Sequence, residues 1–122
     1  MNLDTITDMF KLISELSDDD VQNYTDTIDD AKDFIEKRLL SNPTSEADIK
    51  KCEYAAACVA YYDYTILSLM KEKRGITLTG TTTETLNQNE RLAAARELRN
   101  NALARISNLT QDMDFIFATV MG

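Results

Sequence analysis

A small all-α bundle of about four to five helices around one long central helix, with a short extended or hairpin arm and a C-terminal tail, is the architecture expected of this chain. Three observations point to it. Residues Glu46–Arg74 keep a helical spacing of apolar and small side chains, and almost no side of that helix is left polar. There is a single proline in 122 residues. Serine followed by acids, a helix-opening signature, occurs both at Ser17-Asp-Asp-Asp20 and at Ser45-Glu-Ala-Asp48.

The first helix is expected over about residues 4–16, where Leu3, Ile6, Met9, Phe10, Ile13 and Leu16 recur at three- and four-residue steps. Met9 and Phe10 read as core. The second is expected over about 18–40, with Val21, Tyr24, Ile28, Ala31, Phe34, Ile35 and Leu39 on its apolar face. On its other side Asp26, Asp29, Asp30 and Asp33 stand at i, i+3, i+4 and i+7, so they share one face. Such a face is either a solvated, solubilising surface or a functional one: a dock for a basic partner, or a wall that repels phosphates. A divalent-metal site is a third reading, but carboxylates on one helix with no matching set elsewhere make a poor one.

Ser41-Asn-Pro-Thr-Ser45 is the clearest turn, with Pro43 closing the preceding helix. The central helix, about 46–74, follows, with basic residues Lys71, Lys73 and Arg74 in its last turn and Gly75 as the residue after it. Three alanines, a cysteine and a valine around Ala55–Val59 let neighbouring helices approach closely. Asp63 is the one charge between Glu53 and Lys71. It marks either the wet face of the helix or a polar contact with a neighbouring subunit. It also breaks the apolar run, so no membrane span is expected.

Residues 75–86 change character. Ile76-Thr-Leu-Thr-Gly-Thr-Thr-Thr-Glu-Thr85 alternates apolar and β-branched residues around Gly80. It reads as a flexible loop, or as an arm (Thr77, Thr79, Thr81, Thr83) that orders on a neighbour by adding a strand. A further helix is expected over about 87–107, with Leu92, Ala95, Leu98, Ala102, Ile106 and Leu109 as its stripe. Arg91, Arg96, Arg99 and Arg105 flank that stripe and form the only basic concentration. They serve either as partners for the acidic helix or solvent, or as intersubunit contacts for the aspartate face of the next copy. The tail, about 109–122, is apolar, with Phe115 and Phe117 alternating with Ile116 and Ala118. It is expected to be a partner-binding or core-sealing strand.

Composition narrows the chemistry. A chain of 122 residues suits a single domain, 1–122, with a core that needs no staples. With 13 Lys and Arg against 21 Asp and Glu, the net charge is −8, so neither tight binding to duplex nucleic acid nor to an anionic membrane is expected. Histidine is absent, which removes Ser-His-Asp and Cys-His nucleophile systems. There is no phosphate-loop motif, and the two cysteines, Cys52 and Cys58, cannot supply a zinc cluster. Six residues apart on one helix, they are separated by about 9 Å of rise and face different ways, so they cannot pair and suit a reducing compartment. The polar, acidic opening Met1-Asn-Leu-Asp4 does not read as a secretory leader. No cofactor is expected.

Several core patterns together resemble the head–tail connector (adaptor) family of tailed phages and prophages. They are the acidic lead-in Asp18-Asp19-Asp20, then Ile28-x-x-Ala31-x-x-Phe34-Ile35-Glu36-x-Arg38-Leu39, the helix Tyr54-Ala-Ala-Ala-Cys-Val-Ala-Tyr-Tyr-Asp-Tyr64, and Asp114-Phe115-Ile116-Phe117. The resemblance covers most of the chain and implies a non-enzymatic structural protein. Such a protein assembles as a ring of about a dozen copies under the portal protein, joins the head to the tail-completion proteins, and leaves a central channel through which DNA passes without specific binding. It would act in the virion, after a stage in the host cytoplasm. Two other readings stand beside it: a magnesium-dependent helical nucleotide hydrolase, for which the Glu-x-x-Glu pairs of such enzymes are missing, and a plain intracellular helical interaction module.

Overall fold

The computed structural model describes residues 1–79 and 82–111, with side chains at 1–71 and 87–111. Five α-helices are present among the described residues: α1 (Leu3–Ser14), the single turn α2 (Asp18–Val21), α3 (Thr25–Glu36), α4 (Glu46–Thr79) and α5 (Thr82–Arg105). The expected all-α bundle around a long central helix is what the chain forms.

The helix starts are made by side chains. Asn2 caps α1, its Oδ1 accepting from the Asp4 and Thr5 amides at 2.8 and 3.3 Å. Ser17 Oγ accepts from the Asp20 amide at 3.2 Å, and Ser45 Oγ from the Asp48 amide at 3.1 Å, as the two serine-acid signatures imply. α1 ends on a non-glycine left-handed residue, Glu15, with φ 59°. A Lys11–Asp18 ion pair then ties α1 to α2.

The expected 18–40 helix is interrupted. A 3-10 turn at Gln22–Tyr24 separates α2 from α3. Tyr24 has φ −119° there, and its ring packs edge-on against Tyr64 with centroids 4.8 Å apart. Phe10 of α1 meets the same Tyr64 ring at 5.8 Å. α3 also ends earlier than expected, at Glu36. Residues 38–40 instead pair with 109–111: the Leu40 amide donates to Leu109 O at 3.0 Å and the Gln111 amide to Arg38 O at 2.9 Å. A single antiparallel bridge, Leu39 to Thr110, results.

α4 is the post. Cys52, Ala55, Ala56, Ala57, Cys58 and Ala60 are fully buried. Small side chains on every side let α1, α3 and α5 pack against it together. Ile6 and Phe10 from α1, Ile28, Ala31 and Ile35 from α3, and Ala102, Leu103 and Ile106 at the end of α5 complete the core. α1 runs parallel to α4, since the Asn2 amide donates to Glu53 at 2.7 Å at one end and Phe10 meets Tyr64 further along. α3 and α5 run antiparallel to it.

The arm is corrected. α4 does not stop before Gly75 but continues to Thr79, and α5 begins at Thr82 rather than near Asn87. Thr77, Thr79 and Thr83 are therefore helical in backbone, and Thr81 lies outside the described residues. A helix that is already nucleated extends at the cost of propagation alone. Threonine costs it only about 0.5 kcal/mol per residue, and Gly75 about 1 kcal/mol, relative to alanine. Alternation of β-branched residues did not outweigh that. Of the tail, residues 112–122, including Phe115 and Phe117, lie outside the described residues.

Candidate functional site

The aspartate row forms as the spacing predicts. Asp26, Asp29, Asp30 and Asp33 are all exposed on α3. Asp29, Asp30 and Asp33 line a shallow surface hollow of about 280 Å³ together with Lys32 and Glu36. Its charge is partly balanced from within the helix: Lys37 reaches Asp33 and Lys32 reaches Glu36, each at 2.7 Å. Asp26, Asp29 and Asp30 have no ion pair among the described residues. No group of three or more His, Cys, Asp or Glu side chains placed to hold a metal ion occurs among the described residues.

The arginines differ in their surroundings. Arg91 and Arg105 are exposed, Arg96 and Arg99 half-buried. Arg99 lies against α4, its guanidinium carbon 4.0 Å from the Tyr62 ring centroid, a stacked cation–π contact. Burial holds its pKa below the ordinary arginine value. Its Nε and Nη2, and Nε of Arg96, are enclosed without a hydrogen-bond partner among the described residues. Arg105 sits at the other end of α5, 6.0 Å from the Tyr54 ring.

Asp63 is neither fully buried nor fully exposed. It is half-buried between α3 and α5, and burial raises its pKa, with Arg99 pulling it down and Asp30 pushing it up. Within its own chain Asp63 feels the attraction of Arg99 and the repulsion of Asp30. A second buried acid escaped sequence reasoning. Glu53, only 4% exposed, accepts from the Asn2 backbone amide and anchors the start of α1 on α4. Its signal was present in the pattern, because Glu53 stands between Cys52 and the fully apolar Ala55–Ala60 run.

The cysteines are free and buried. Burial pushes the Cys58 thiol up to about 11 and the Cys52 thiol above its ordinary value, so neither is a thiolate near neutral pH. Two grooves stand out among the described residues. One, of about 170 Å³, lies between α4 and α5 at Ile66, Leu69, Met70 and Leu92. The other, of about 300 Å³, lies between α1, α4 and α5 and is lined by Met9, Lys50, Lys51, Tyr54, Ala102 and Arg105. No described helix is long and apolar enough to cross a membrane.

Comparison with protein-family models, with curated proteins and with solved structures gave no match.

Proposed function

We propose that the chain is a structural head–tail connector of a tailed phage or prophage. It works as a non-enzymatic adaptor, in a ring of about a dozen copies between the portal and the tail-completion proteins. The observation that carries this reading is the exposed aspartate row of α3, set on a rigid bundle whose net charge is −8. A ring that turns such a face inward presents DNA with a surface that repels phosphates instead of binding them, so DNA passes without sticking. The core patterns shared with connectors support the same reading. The protein is then a component of the head–tail junction in the virion, and is held in the host cytoplasm before assembly.

Arg99 stacks on Tyr62 of its own chain, and Arg91, Arg96 and Arg105 are the residues of that helix assigned to contacts with the next copy. Particles carrying Asp26→Asn, Asp30→Asn and Asp33→Asn test the channel wall. DNA release from them is expected to slow or stall, and unchanged release contradicts the assignment of this face to the channel.

A further inference from the structure

We propose that the groove between α1, α4 and α5 receives the outer face of α1 of a second copy, with Leu12 on its apolar floor and Asp8 against its basic rim. The inference rests on the reading of the chain as a self-assembling connector, and it names what Arg105 meets on the next copy. The groove floor is Met9, Tyr54 and Ala102, and its rim is Lys50, Lys51 and Arg105. In a chain of net charge −8, none of these three cations is in an ion pair among the described residues. The groove measures about 300 Å³, at the small end of the range for ligand sites, so it suits one inserted side chain and not a whole helix.

The occupant is argued from charge and exposure together. Leu12 is 80% exposed, more than Leu3, Leu40, Leu67 or Met70. Asp4, Asp8 and Leu12 follow one another at i, i+4 and i+8 and form one exposed stripe along α1, and Glu15 closes the helix beside it. Asp4, Asp8 and Glu15 have no ion pair among the described residues. An apolar knob set among acids complements an apolar floor set among cations. The other exposed apolar side chains fit less well. Leu40 follows Lys37 and Arg38, and Leu67 and Met70 lie within one turn of Lys71, so each brings like charge to a basic rim. The aspartate row of α3 carries no exposed apolar residue. Leu12 lines no part of the groove in its own chain, so it is available to another.

The native mass of the full-length chain over a concentration series, alone and on a portal protein, tests the contact. Leu12→Ser and Lys51→Glu are each expected to weaken association about tenfold, by removing a buried leucine in one case and reversing a charge pair in the other. Both positions are exposed, so circular dichroism should show the helices intact. Asp8→Lys alone should weaken association too, and Asp8→Lys combined with Lys51→Glu should restore most of it, which a merely structural effect of either change would not do. An assembly that ignores Leu12→Ser and Lys51→Glu, or a reversed pair that recovers nothing, overturns this contact and leaves the connector reading standing. A wild-type chain that stays a monomer at every concentration and on the portal overturns both. An assembly that stops at two copies and still depends on Leu12 supports the contact and overturns the ring.

Discussion

Asp63 shows how one residue's role depends on what the folded chain brings beside it. In the sequence it is a lone charge on an apolar helix. In the bundle it lies between Asp30 and Arg99, and burial raises its pKa. The folded state therefore holds the Asp63 proton more tightly than the unfolded chain does. Stability contributed by this group is fully present where the carboxyl is protonated, and declines as pH rises from the ordinary aspartate value through the raised one. The difference in unfolding free energy between wild type and Asp63→Asn should accordingly fall with rising pH across that window, measured by urea denaturation at several pH values. A difference that rises with pH would mean that the pull of Arg99 outweighs burial. Glu15 offers a simpler test. Its φ of 59° costs a non-glycine residue about 1 kcal/mol, so Glu15→Gly should stabilise the protein by roughly 0.5–1 kcal/mol despite the entropy that glycine adds to the unfolded chain. A loss of stability would show that the left-handed turn is not populated. Neither environment was legible beforehand. A left-handed cap without glycine leaves no compositional mark, and the neighbours of Asp63 come from 33 residues upstream and 36 downstream.

At the scale of elements, what was legible was what rests on short-range physics. The serine caps at Ser17 and Ser45, the apolar faces of α1 and α3, and the buried Ala55–Ala60 run all follow from local spacing and hydrogen bonding. The ends of elements were set elsewhere. α3 stops at Glu36 because residues 38–40 are taken up by pairing with 109–111, a contact between segments about 70 residues apart that no local signal announces. The Ile76–Thr85 stretch read as an arm because alternating β-branched residues mimic a strand, although two flanking helices had already paid the cost of nucleation. Gly75 decides that point. Inside a helix, Gly75→Ala should raise stability by about 0.5–1 kcal/mol in chemical denaturation. At a left-handed helix end the same change would lower it.

For the molecule as a whole, the charge is arranged unevenly. Acids occupy the outer face of α3. Lys50, Lys51 and Arg105, which have no ion pair among the described residues, gather where the start of α4 meets the end of α5. A body with an acidic flank and a basic end suits head-to-tail contacts among identical copies, which close into a ring when the rotation between neighbours is regular. Because such contacts are largely electrostatic, assembly should weaken with salt. The four-residue aspartate row and the arginines of α5 were both evident in the sequence. Their different fates, one fully exposed and the other divided between solvent and Tyr62, depended on which face of each helix met α4.

The most direct test of the connector reading is the native mass of the purified protein across a concentration series, by light scattering after size exclusion, with and without a portal protein. A species of about a dozen subunits, formed alone or on the portal and lost at high salt, is the predicted result. A strict 13.8 kDa monomer at every concentration that also ignores the portal would contradict it.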